Sequence, residues 1–187
     1  KQMTVEEKTC QMVTLYGYRR VLKDSLPTEQ WKQALWKDGI ANIDEMLNGV
    51  SKRNLKYSPH LTIDYRGHIE AKNTIQRWFI EETRLGIPAE FTNEGIHGLC
   101  HSRATELPAP IGIGSTWNRA LVRRAGEIVG AEGKALGYHN IYAPILDVPR
   151  DPRWGRIVEC YGEDPWLVAE LGIEMAKGVQ SQGGAST

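Results

Sequence analysis

Apolar positions along this chain follow two alternating rhythms, one helical and one extended. In "MTVEEKTCQMVTLYG" the spacing of Met3, Cys10, Met12, Val13 and Leu15 predicts a helix, with Thr4 as its cap and Glu6 and Glu7 in its first turn. Polar sequence containing Pro27 follows, and "WKQALWKDG" is a second short helical pattern that ends at Gly39. "GIANID" (39–44) is a short, mostly apolar run closing on an acid, and predicts the first strand. "EAKNTIQRWFIEETRLG" sets Ile75, Trp78, Phe79 and Leu85 on one helical face before Gly86 stops it. "IPAEFTN" (87–93) predicts the second strand. "STWNRALVRRAGEIVGAEGKALG" is a long amphipathic helix with Ser115 or Thr116 as its cap, and it leads into a third strand, "NIYAPILDV" (140–148). "PWLVAELGIEMAKGVQ" closes the series as a helix with proline at its first position.

Strands alternating with helices imply an α/β fold with parallel pairing. Only "KRNLKYSPHLTIDYRGH" (52–68) breaks the alternation, and it reads as an excursion such as a hairpin. Each predicted strand finishes on carboxylates: Asp44 and Glu45, then Glu94, then Asp147. In parallel α/β folds the strand C-termini share one rim, where ligands bind. Loops are polar in any case, so this regularity selects candidates and does not identify them.

Composition narrows the choice of function. The chain has 187 residues, 41% hydrophobic and 25% charged, with no formal net charge. That is the balance of a globular domain with a sizeable core. It lacks the basic excess of a nucleic-acid surface and any apolar run able to span a bilayer. Cys10, Cys100 and Cys160 are too few and too scattered for a disulfide framework. They fit a reducing compartment, or an oxidising one in which they stay buried. An opening at Lys1, with neither an initiator methionine nor a signal peptide, is expected where a leader has been removed, and the tail "QSQGGAST" reads as flexible linker.

Three stretches carry candidate chemistry. "DVPRDPRWGRIVECYGEDP" (147–165) packs three arginines, five carboxylates and three prolines into one irregular segment. Most of those charges suit a structural network, while one guanidinium braced by acids suits a sugar hydroxyl or a carboxylate. Trp154 and Tyr161 offer stacking surface or core packing. In "FTNEGIHGLCH" (91–101) a strand ends on Glu94, and glycines let the chain turn sharply. His97, Cys100 and His101 lack the companion ligands that zinc needs, so no metal is expected and His97 reads as structural. "IGIGST" (111–116) has part of a phosphate-cradling pattern but neither its third glycine nor a Lys-Ser/Thr pair, so close packing of a helix start explains it better.

These residues also resemble a known family. "MTVEEKTCQM", "EETRLGIPAEFTNEGIHG", "ELPAPIGIGSTWN" and above all "APILDVPRDPRWGRIVECYGEDP" are similar to successive barrel motifs of glycoside hydrolase family 3, the β-glucosidases and β-xylosidases. The resemblance implies an α/β fold that is a partial TIM-type (β/α) barrel, an N-terminal fragment with about three to four of eight units. Residues 1–187 would form the N-terminal portion of that barrel domain, with later strands and a C-terminal domain absent. It implies substrate-binding roles for Glu94 and Arg156 on the terminal sugar. No catalytic residue is assigned within the chain, since nucleophile and acid/base are expected beyond Thr187. No cofactor is expected.

The implied full enzyme hydrolyses terminal non-reducing β-D-glucosyl or xylosyl residues with retention. Its partner is a β-linked oligosaccharide or an aryl or alkyl glycoside, with no nucleic acid and no membrane span. A periplasmic or extracellular place follows from the resemblance alone. Because a partial barrel exposes apolar edges, self-association is also expected. Two other readings compete. One is a non-catalytic sugar-binding or scaffold fragment, inactive on its own; the other is a phosphate- or nucleotide-binding domain resting on "IGIGST".

Overall fold

Thr4 caps a helix, as expected, but a shorter one than the apolar spacing predicts. In the protein's structure, a computed structural model that describes residues 2–16, 32, 37–44 and 65–187, helix α1 spans Val5–Cys10. A capping box closes it: the Thr4 hydroxyl accepts from the Glu7 amide, and the Glu7 carboxylate accepts from Thr4 N at 2.8 Å. Thr14–Tyr16, read as part of the same helix, is instead strand β1. A six-residue helix is marginal by itself, and pairing with the neighbouring strand outweighs another turn of it.

The chain divides into two units, Lys1–Thr92 and Asn93–Thr187. In the first, β1 pairs in parallel with β2 (Asn42–Asp44), and β2 pairs in parallel with the start of β3 (Glu90–Glu94). The second and third of these are the strands expected at 39–44 and 87–93. Helix α2 (Tyr65–Glu81) buries Ile75 and Phe79 completely, and Trp78 nearly so. Gln76 clamps it to the approach of β3 through both ends of its amide, donating to Ala89 O at 2.7 Å and accepting from Ala89 N at 2.9 Å. Gly86, at φ +67°, then turns the chain. The helix expected over 31–39 lies outside the described residues apart from Lys32 and 37–39. Glu45 and positions 52–64 of the expected excursion also lie outside them, whereas 65–68 belong to α2.

In the second unit a short helix, α3 (Pro110–Gly114), precedes the long α4 (Arg119–Ala135). Neither Ser115 nor Thr116 caps α4. Their hydroxyls are spent on the carbonyls of Ile111 and Ile113, closing α3, and Asn118 caps α4 by accepting from Leu121 N at 3.1 Å. The third expected strand is β4 (Asn140–Tyr142), much shorter than 140–148. Beyond it Pro144 has no N–H to offer a ladder, while the Ala143 carbonyl accepts from the Ser186 hydroxyl at 2.5 Å. Helix α5 (Pro165–Gln180) starts on proline behind the cap Asp164. The tail, expected to be flexible, instead forms β5 (Ala185–Ser186), parallel to β4.

Glycines set the crossing of α4 and α5. A Cβ on Gly126 would lie 2.4 Å from the Met175 carbonyl oxygen, and one on Gly178 would lie 2.5 Å from that of Arg123. The backbones therefore touch, and Val122, Val129, Leu171 and Val179 fill the buried core of this unit.

Candidate functional site

Glu94 and Arg156 both belong to the second unit, and the surrounding chain gives each a reason for its place. Glu94 is the last residue of β3, and the loop after it is held at many points. Fully buried Asn93 donates to Cys100 O at 3.0 Å and accepts from the Glu94 amide at 2.9 Å. The Glu94 carbonyl accepts from Cys100 N at 2.8 Å, and His97 O from Leu107 N at 2.8 Å. Gly95 leaves no room for a side chain: its Cβ would lie 2.3 Å from Cγ2 of Ile141. Gly98, at φ +89°, passes equally close to the Thr105 carbonyl, where a Cβ would come within 2.1 Å. Thr105 is fastened to α4 in turn, donating through its hydroxyl to Glu132 at 2.6 Å. The half-buried Glu94 therefore projects from a rigid frame.

Arg156 stands at the start of a 3₁₀ turn, Ile157–Glu159. Its Nε donates to Glu159 Oε2 at 2.7 Å, and one terminal nitrogen reaches the same oxygen at 2.6 Å. Hydrogen bonding to Glu159 holds the guanidinium above the ordinary arginine value. The charges of Glu159, Glu94 and Asp147 act in the same direction. Glu94 and Asp147 thus each act on Arg156 through their charge. Asp147 is exposed and its charge also acts on the buried Cys160, whose thiol is pushed up chiefly by burial.

The other charges of this segment divide as a structural network should. Arg153 makes a two-pronged pair with Asp151, Nε to Oδ1 at 2.9 Å and a terminal nitrogen to Oδ2 at 2.6 Å, with its own side chain 87% exposed. Asp164 caps α5 by accepting from Leu167 N at 2.8 Å. Tyr161 packs into the core, and burial pushes its phenol up. Trp154 is half-exposed two residues before Arg156.

Elsewhere the candidates resolve differently. Asp44, in the first unit, is buried and accepts from the Thr92 hydroxyl at 2.7 Å. The His97 side chain is exposed, where a bonded structural histidine was expected; its backbone carbonyl is the group engaged among the described residues. His101 accepts from Arg103 N at 3.1 Å. The glycines of "IGIGST" lie inside α3 rather than in a phosphate loop, and a Cβ on Gly114 would sit 1.9 Å from the Tyr161 carbonyl oxygen. What sequence reasoning did not single out is Glu159 as the partner of Arg156. The signal was present, since residues three apart meet on one turn of helix.

Among known proteins, the model of the glycosyl hydrolase family 3 N-terminal domain matches residues 4–187. A periplasmic beta-glucosidase of Salmonella typhimurium is 30% identical over 182 residues, covering 97% of this chain and 20% of that protein. A beta-xylosidase of Formosa agariphila is 38% identical over 106 residues, covering 54% of this chain and 15% of its own length. Among solved structures, beta-glucosidase from Listeria innocua superposes with a TM-score of 0.71 at 28% identity, covering 99% of this chain and 24% of that one. The chain thus spans between 15% and 24% of the length of these three relatives.

Proposed function

The chain belongs to glycosyl hydrolase family 3, and from that premise we propose that it is the sugar-positioning part of a retaining exo-β-glycosidase. Its fold is α/β, part of a TIM-type barrel. The substrate is a β-linked oligosaccharide or simple glycoside, from which a terminal glucosyl or xylosyl residue is removed. The names borne by the relatives, beta-glucosidase and beta-xylosidase, support both sugars. The name of the Salmonella relative supports a periplasmic or extracellular place. No helix among the described residues is long and apolar enough to cross a membrane.

In this reading the Glu94 carboxylate accepts from hydroxyls of the terminal sugar, and Arg156 donates to a hydroxyl of the same ring. Retention needs a nucleophile and an acid/base about 5 Å apart across the glycosidic bond. Those two groups are assigned to sequence beyond Thr187. What these residues contribute is orientation, together with hydrogen bonds that strengthen as the ring distorts toward the transition state.

The observations that carry the reading are the match of residues 4–187 to the family's N-terminal domain and an Arg156 guanidinium braced along one edge by Glu159. Saturation-transfer NMR of the 187-residue chain with glucose and xylose, and galactose as a control, tests it. Glu94→Gln and Arg156→Ala should each abolish binding while leaving the far-UV spectrum intact. Binding that persists unchanged in both variants would rule the assignment out.

A further inference from the structure

We propose that Glu159 is a positioning residue, which aims the Arg156 guanidinium at the sugar; the proposal rests on the reading of Arg156 given above. A guanidinium carries five N–H donors in a rigid plane, so fixing one edge fixes the direction of the others. Glu159 Oε2 accepts from both groups of one edge, Nε at 2.7 Å and a terminal nitrogen at 2.6 Å. No second side-chain partner of Arg156 occurs among the described residues, so the other terminal nitrogen keeps its donors for a hydroxyl.

The backbone reinforces this aim. The Glu159 amide donates to the Arg156 carbonyl at 3.0 Å, and the Cys160 thiol approaches the same oxygen at 3.8 Å. The two residues are thus joined through main chain and side chain on one short turn. Glu159 is also the more sheltered partner, its side chain 21% exposed against 51% for Arg156. A more sheltered brace behind a half-exposed head group is what orients a group toward an incoming ligand. The contrast is Arg153, whose acid Asp151 is itself half-exposed, leaving the pair at the surface.

The test is a double-mutant cycle on sugar affinity, measured for the 187-residue chain with glucose and xylose. Glu159→Gln keeps the shape but removes the charge that grips both nitrogens. It should weaken binding about tenfold, the lower end of what loss of an outer-shell partner costs. Its melting temperature should stay at the wild-type value. In an Arg156→Lys background, where no planar fork remains to be aimed, the same substitution should add nothing. Wild-type affinity in Glu159→Gln, or an equal loss in both backgrounds, overturns the positioning role and leaves the reading of Arg156 standing. Wild-type affinity in Arg156→Lys overturns that reading and the positioning role with it.

Discussion

The space around each glycine predicts opposite signs for the same substitution, unfavourable at the α4–α5 crossing and neutral or favourable in α3. In Gly178→Ala the new Cβ would lie 2.5 Å from Arg123 O, 2.7 Å from Gly126 Cα and 2.8 Å from Glu127 N. All three neighbours are backbone, so no side chain can swing aside and the helices must part. Overpacking of this kind costs roughly 1–3 kcal/mol, and the backbone contacts place this case near the top of that range. Alanine returns about 1 kcal/mol of helix propensity, so the net loss is about 2 kcal/mol. At Gly112 in α3 the nearest atom to a Cβ is Pro108 Cβ at 3.9 Å, an ordinary contact. Gly112→Ala should therefore be neutral or stabilising, by up to about 1 kcal/mol. Urea unfolding reads both, with unchanged slopes and shifted midpoints. Because Gly126 and Gly178 face each other across one gap, Gly126→Ala plus Gly178→Ala should cost less than the sum of the singles. A Gly178→Ala chain as stable as wild type, or strictly additive singles, would refute the argument from contact distances.

Two further outcomes follow from the ion pairs. Hydrogen bonding from Arg84, with help from Thr4 N, lowers Glu7 from the ordinary 4.5 to about 2. A depressed folded value means stability that is complete above pH 4.5 and is lost as pH falls from there toward 2. Glu7→Gln should flatten that part of a plot of unfolding midpoint against pH, and an unaltered acid limb would contradict the pairing. Arg153→Ala should leave both stability and sugar affinity at wild-type levels, because an exposed pair is screened by solvent. A loss of affinity there, comparable with that in Arg156→Ala, would show that the roles of the two arginines were exchanged.

Legibility from sequence depended on how local each feature is. Thr4, the helices around Ile75 and Val122, and proline at the head of α5 announce themselves within a few residues, through capping and apolar period. Strands β1 and β5 did not, because Thr14–Tyr16 continues the apolar spacing of the helix before it and Ala185–Ser186 lies in a polar tail. Each exists through partners distant in sequence, Thr14 with Asn42 and Ala185 with Asn140. The cap of α4 was misplaced for a related reason. Ser115 and Thr116 are good caps in isolation, but α3 claims their hydroxyls first. At the site, Glu94 was visible as an acid ending a strand, whereas its frame of Asn93, Gly95 and Gly98 depends on contacts that only the fold supplies. The resemblance singled out Arg156 among three arginines; its bond to Glu159 separates it from Arg153 and Asp151 in space.

Gly114 touches the main chain at Tyr161, two residues past Glu159. Helix α3 therefore works as a shim beneath the segment that carries Arg156. Anyone transplanting 147–165 into another barrel has to move 110–114 as the matching half. Any side chain at position 114 would push on the Tyr161 main chain, and so on the segment that carries Arg156, without editing a single polar group around it.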